Sequence, residues 1–226
     1  LAAACPHRAG PLADGILELR LNRPERKNAL NGPLFKAIND ALRAGASDPD
    51  VWALALTGNG DAFCSGLDLS QASETDDTDG ADPPPEPDER DHFVTVMRVE
   101  CEKPILAGIN GVAVGIGVSL AMAADIRIAA PSARLHPGYA RVGTSPDGGA
   151  TLTVTAALGY ERAMRFFLEQ RMVSAAEALD LGLVGEVTAS DDVFPERFIA
   201  YGQMLAGVAP IAAQQTKRLL SGATTP

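Results

Sequence analysis

From Gly15 to Leu21 apolar and polar residues alternate, with Leu17, Leu19 and Leu21 on one side and Ile16, Glu18 and Arg20 on the other. Period two predicts a strand, and its mixed second face predicts half-exposure. After Asn31 the period lengthens: Leu34, Ile38, Ala41 and Leu42 fall on one helical face. Asn31 is the expected N-cap, Pro33 suits a first turn, and Gly45 is expected to stop the helix. Val51 to Thr57 and Pro104 to Ile109 are continuous apolar runs, as in strands covered on both faces, and Trp52 is expected in that core. Ile116 to Ala124 reads as a short buried helix entered through glycines, and Asp125 to Ala129 as another strand. Such β–α–β alternation implies parallel pairing with crossovers. The second half reads as mostly helical. Ser174 and Glu177 make a capping box for a helix ended by Gly182, and Val184 to Val187 is extended. Asp191 is expected to cap a helix to about Leu205, with Pro195 in its first turn, and Pro210 to Leu220 is a last amphipathic segment.

The 226 residues suffice for one sizeable domain, and 46% hydrophobic with 21% charged residues fits a soluble globular chain. A net charge of −10 without a basic block speaks against nucleic acid or an anionic membrane as partner. An anionic small ligand needs only a few local cations. No unbroken apolar run reaches about 18 residues, so no membrane span is expected. Leu1 to Gly10 lacks the pattern of a signal peptide, which makes the expected location cytoplasmic. Cys5, Cys64 and Cys101 form no disulfide framework, and His7, His92 and His136 are scattered, so no metal site is expected. Ser70 to Asp91 holds nine acidic residues and four prolines. It reads as a solvated, mobile loop, with a lid as the functional alternative.

Three glycine-rich segments carry the candidate chemistry: Phe63 to Asp68, Asn110 to Gly117, and Gly143 to Gly149 with its lone carboxylate, Asp147. The first two are suited to exposing backbone N–H groups, because glycine lets a backbone turn sharply and approach a ligand closely. N–H groups at a helix start also carry positive potential. A thioester has an acidic α-carbon only when its carbonyl oxygen is stabilised as it gains charge, and one such donor is worth on the order of 3 kcal/mol of barrier. Two donors and a carboxylate therefore suffice to make and quench an enolate. Asp147 also suits a turn or an N-cap before a helix near Gly148.

The stretches Leu21 to Asn31, Thr57 to Leu69, Lys103 to Gly117 with Asp125 to Ala129, and Gly143 to Gly149 resemble the crotonase (enoyl-CoA hydratase/isomerase) superfamily. Ser174 to Val187 joins them, so the similarity runs from about Gly15 to Leu220. The resemblance implies an α/β fold: a crotonase-like ββα spiral core over residues 1–190 and a helical C-terminal region over 191–226, expected to be shortened. It implies a homotrimer or dimer of trimers. It also implies that Leu67 and Ile116 supply the oxyanion-hole N–H groups, Ile116 departing from the family's usual glycine. Ser65, Gly66, Asp68, Ala29, Leu30, Gly115 and Tyr139 match substrate-binding positions, and Arg26 and Lys27 match phosphate contacts. The hydratase glutamates correspond to Ser119 and Tyr139, which disfavours hydration. Ser119 is expected to have no catalytic duty. Asp147 matches an aspartate of several isomerases and of a haloaromatic acyl-CoA dehalogenase. Burial beside an apolar acyl pocket is expected to tune it.

The expected function is double-bond isomerisation of an enoyl-CoA by Asp147 as the single acid/base. Acyl-CoA is the substrate, with no cofactor. The alternatives are Asp147 as a nucleophile in dehalogenation or thioester hydrolysis, and a non-catalytic acyl-CoA-binding protein. A tryptophan expected at Tyr139 counts against dehalogenation.

Overall fold

The computed structural model describes residues 7–8, 15–70 and 92–223. Strand β1 (His7–Arg8) lies antiparallel on β2 (Ile16–Leu21). Helix α1 (Gly32–Ser47) then crosses to β3 (Ala53–Gly58), which pairs parallel with β2. A short strand, β4 (Ala62–Cys64), follows at once. The same unit recurs twice. Helix α2 (Phe93–Thr95), prolonged by a π turn over Val96–Glu100, leads to β5 (Ile105–Ile109) and the short β6 (Val112–Val114). Helix α3 (Ile116–Ala123) leads to β7 (Ile126–Ala129) and the short β8 (Arg134–His136).

The chain continues as α4 (Ala150–Leu158), α5 (Tyr160–Glu169), β9 (Val173–Ser174), α6 (Ala175–Asp180), β10 (Glu186–Val187), α7 (Phe194–Ala206) and α8 (Pro210–Ala223). The long strands build a six-stranded sheet in the order β1-β2-β3-β5-β7-β10, and the short ones a four-stranded sheet, β4-β6-β8-β9. Each turn of the spiral thus adds one strand to each sheet, the parallel crossover pattern expected from the sequence.

Both faces of the large sheet are covered. Leu17, Leu19 and Leu21 of β2 and Leu54 and Leu56 of β3 join Leu34, Ile38 and Leu42 of α1 in the main core. The opposite face, Ile16, Ala53, Ala55, Leu106 and Ile128, is closed by Phe194, Phe198 and Leu205 of α7. This corrects the half-exposed reading of β2: Glu18 is buried and paired with Arg20 beneath a helix that lies far off in sequence. Trp52 is half exposed, not strand core; it lies over Gly15, one residue ahead of β3. Gly45 does not stop α1 but sits inside it, where a Cβ would come within 2.6 Å of Leu17 and 2.9 Å of Leu54. It is glycine because α1 lies close on the sheet.

Capping follows the sequence in part. Asn31 Oδ1 accepts from Leu34 N–H at 3.0 Å, and Ser174 Oγ from Glu177 N–H at 3.3 Å. Asp191 is not the N-cap of α7; its Oδ1 accepts from Ser132 N–H at 3.0 Å, tying that loop to the end of β7. The acidic stretch beyond Ser70, residues 71–91, lies outside the described residues. Among the described residues, no helix is long and apolar enough to cross a membrane.

Candidate active site

Parallel register brings three loops together. In the small sheet Cys64 lies opposite Ala113, and Val114 opposite His136. Three residues beyond Cys64 and Ala113 come Leu67 and Ile116, and three beyond His136 comes Tyr139. The C-terminal ends of parallel strands are where such sheets place ligands. Here they open into a cavity of about 250 Å3 lined by Ser65, Gly66, Leu67, Leu69, Val114, Gly115, Ile116, Gly138, Tyr139, Val142, Thr144 and Asp147.

The direction of the Leu67 N–H follows from its neighbours. Leu30 N–H donates to Gly66 O at 2.7 Å, and Asp68 N–H donates to Leu30 O at 2.8 Å. Leu30 therefore bonds on either side of Leu67 in a parallel bridge. In such pairing the bracketed residue turns its own N–H away from its partner. Ile116 is the first residue of α3, a position whose N–H has no intrahelical acceptor. Among the described residues neither N–H donates a hydrogen bond. Close approach of the two segments depends on glycine. A Cβ on Gly117 would run into the Cys64 carbonyl, and one on Gly66, where φ is 103°, would meet Val114 O at 3.0 Å.

Asp147 is exposed at the cavity rim, so the burial expected of it is absent. Nor is it the N-cap of α4, which starts at Ala150 behind Gly149. Its carbonyl accepts from Ala150 N–H at 3.0 Å and from Ser119 Oγ at 3.0 Å. Gly148 and Gly149 both have positive φ, 58° and 74°. A Cβ on Gly148 would come within 2.8 Å of Ser119 Cβ and 3.2 Å of His92 Cε1. Ser119 Oγ is also hydrogen-bonded to the Tyr139 hydroxyl. Burial raises the Tyr139 phenol above its ordinary range; its bond to Ser119 opposes this, and the Asp147 charge adds to it. Burial likewise holds the His92 imidazole below its usual value, and the Asp147 charge pulls it part of the way back. His92 Nδ1 accepts from Val94 N–H at 3.3 Å.

The structure thus gathers Asp147, Leu67, Ile116, Ser65, Gly66, Gly115 and Tyr139 around one cavity and leaves the other expected residues outside its lining. Asp68 is engaged by the Ser70 hydroxyl at 2.6 Å and by Arg23 Nη2 at 2.8 Å, which push its carboxyl down to about 2. A substrate contact through that carboxylate would have to break both. Lys27 pairs with Asp61 at the surface, while Arg26 is exposed beside Ser65, whose Oγ donates to Arg26 O at 3.3 Å. Ala29 and Leu30 are buried, and Leu30 lines a neighbouring cleft of about 510 Å3 with Phe35 and Leu67. Sequence reasoning passed over Ser119, His92 and Arg23 as site residues. Ser119 lies three residues after Ile116, one helical turn on, and that spacing was the signal available.

The enoyl-CoA hydratase/isomerase family model matches residues 12–226. The chain belongs to the enoyl-CoA hydratase/isomerase family. Relatives of this family span most of its length. A Mycobacterium leprae protein named probable enoyl-CoA hydratase echA6 is 32% identical over 214 residues, covering 92% of this chain and 80% of its own. The 1,2-epoxyphenylacetyl-CoA isomerase of Escherichia coli is 35% identical over 180 residues, 76% of this chain and 66% of its own. The crystal structure of an enoyl-CoA hydratase/isomerase from Pseudoalteromonas atlantica superposes with a TM-score of 0.83 at 34% identity, covering 93% of this chain and 80% of that one. The family's crotonase fold, an α/β spiral with C-terminal helices, is the fold described above.

Proposed function

We propose that this family member isomerises the double bond of an enoyl-CoA, with Asp147 as its single acid/base. The observation that carries the reading is one cavity lined by Asp147 and by the two residues, Leu67 and Ile116, whose N–H groups have no acceptor among the described residues. The thioester oxygen accepts from both N–H groups. Asp147 removes a proton from the carbon beside the double bond, charge spreads into a dienolate held at that oxygen, and Asp147 returns the proton two carbons away. Hydration would need a second group to activate water. The two positions matching the hydratase glutamates hold Ser119 and Tyr139, hydroxyls bonded to each other. A structural neighbour from M. smegmatis, 28% identical, is named a monofunctional enoyl-CoA isomerase and supports this choice, while most named relatives are called hydratases. Arg26, exposed beside the Ser65 loop, and Lys27 are proposed to meet the CoA phosphates. Assembly as a homotrimer or dimer of trimers is part of the proposal, resting on the resemblance.

Incubation with 2- and 3-enoyl-CoA esters tests the reading. Isomerisation yields the shifted alkene at unchanged mass, whereas a product heavier by one water would contradict it.

One observation favours a second reading, thioester hydrolysis. His92, kept neutral by burial, faces the Asp147 turn and could activate water against an acyl group transferred to the Asp147 carboxylate, after departure of the CoA thiol. That reading requires a mass increase on the protein at Asp147 in a quenched reaction.

A further inference from the structure

Helix α3 is buried throughout, and among its apolar residues Ser119 is the polar one. A hydroxyl with no exposure must spend its bonding capacity inside the protein, since an unpaired one costs more than it contributes. Ser119 has one proton and two lone pairs. Its proton goes to the Asp147 carbonyl, which can only accept, at 3.0 Å. Either hydroxyl can donate in the short bond between Ser119 and Tyr139, and the Tyr139 hydroxyl also interacts with Asp147. Tyr139 is itself 5% exposed, and burial keeps its phenol protonated. The result is a buried pair of hydroxyls, one of which donates to the main chain of Asp147.

That end point matters because it ties the Asp147 carbonyl to a buried helix. Gly148 and Gly149 give it two residues of left-handed backbone and no side chains. Asp147 O takes its other hydrogen bond from Ala150 N–H, inside the same turn. Ser119 is therefore the link from this carbonyl to the buried core. Gly148 is already within contact distance of Ser119, so the turn rests on the serine as well as bonding to it.

We propose that Ser119 is a positioning residue for Asp147, with Tyr139 orienting the serine hydroxyl so that the turn presents its carboxylate at one fixed place in the cavity. This rests on the acid/base reading of Asp147. It assigns Ser119, which lies outside the cavity lining, a task in the reaction without contact to the reacting atoms.

The test uses Ser119→Ala and Tyr139→Phe in the full chain, each close to isosteric, with Asp147→Asn beside them. Misplacing a reacting group by about 1 Å costs on the order of 100-fold. Ser119→Ala is expected to lower kcat by roughly 10- to 100-fold with KM within about two-fold. Amide exchange at the 147–150 turn should accelerate while the strands stay protected. Tyr139→Phe, which leaves the Ser119 proton in place, is expected to show a smaller loss in the same direction. Wild-type kcat in Ser119→Ala, a loss confined to KM, or unchanged exchange at the turn each overturns the proposal. If Asp147→Asn keeps full turnover, the acid/base reading itself fails, and that result is distinguishable because it does not involve Ser119. Should Ser119→Ala fold poorly, Tyr139→Phe carries the test: unchanged kcat and turn exchange there would overturn it.

Discussion

Leu30 brackets Leu67: one residue bonds through both its N–H and its C=O to the two neighbours of the other, across a parallel bridge. The bridge is what turns the Leu67 N–H out of the backbone network. On the same strip, Arg23 holds Asp68 by an ion pair at 2.8 Å and the Ala29 carbonyl at 2.6 Å, so it clasps both sides of the bridge.

Removing that clasp should loosen the donor. Arg23→Met is expected to lower kcat by about 10-fold with a smaller change in KM, because an oxyanion-hole donor works only when preorganised. The pH dependence has a defined sign. The Ser70 hydroxyl first and Arg23 second push the Asp68 carboxyl down from 3.8 to about 2, so the part that Arg23 contributes is complete above 3.8 and is lost as pH falls toward about 2. The stability gap between wild type and Arg23→Met, followed by denaturant melts, should shrink over that window. A constant gap would show that the carboxylate pairing is not its source.

The second donor can be deleted by itself. Ile116 begins α3, a position where proline fits a helix and removes the N–H; Ile116→Ala, which keeps it, controls for the lost side chain. Ile116→Pro should cost roughly 100- to 1,000-fold in kcat, the usual loss for one such donor, on top of a loss of stability like that of Ile116→Ala. Ile116→Ala, which keeps the N–H, should retain turnover within about 10-fold and lose about 2–4 kcal/mol of stability through the emptied space.

Two glycines should respond oppositely to alanine. Gly117→Ala drives a Cβ into the Cys64 carbonyl, a backbone atom that cannot swing aside, and should destabilise by about 3 kcal/mol or more. At Gly32, in the first turn of α1, a Cβ meets nothing within 4 Å, and alanine should be neutral or stabilising by up to about 1 kcal/mol. Paired thermal melts check both.

The same contrast shows what the sequence could carry. Apolar runs located β3 and β5, and the glycine-entered segment located α3, because burial on both faces leaves a local signature. Gly45 read as a helix stop because its reason, the side chains of Leu17 and Leu54, lies on other elements. Glu18 read as exposed because α7, which covers that face of the sheet, comes some 180 residues later. Within the cavity, the meeting of Asp147, Leu67 and Ile116 was legible from glycine-rich spacing and resemblance. Ser119 was not, since its importance comes from a turn 28 residues on, and Arg23 was not, since its carboxylate is 45 residues away.

Acid sensitivity near neutrality should trace in part to His92. Burial lowers its folded-state value below 6.5, so the unfolded chain takes up a proton that the folded one resists, and stability falls as pH drops through 6.5. The nearby Asp147 charge works against this. His92→Gln should flatten that part of the stability–pH curve between about pH 7 and pH 5. An unaltered curve would place the sensitivity elsewhere.

The most direct test is deuterium incorporation. Wild type and Asp147→Asn are incubated in D2O with 2- and 3-enoyl-CoA esters, and the esters are read by mass spectrometry, with ligand binding measured in parallel. If Asp147 is the acid/base, the wild type exchanges α- and γ-protons or migrates the double bond, and Asp147→Asn binds the esters normally with exchange reduced by at least about 1,000-fold. Equal exchange in both proteins, or none in the wild type despite binding, would contradict enolate chemistry by Asp147.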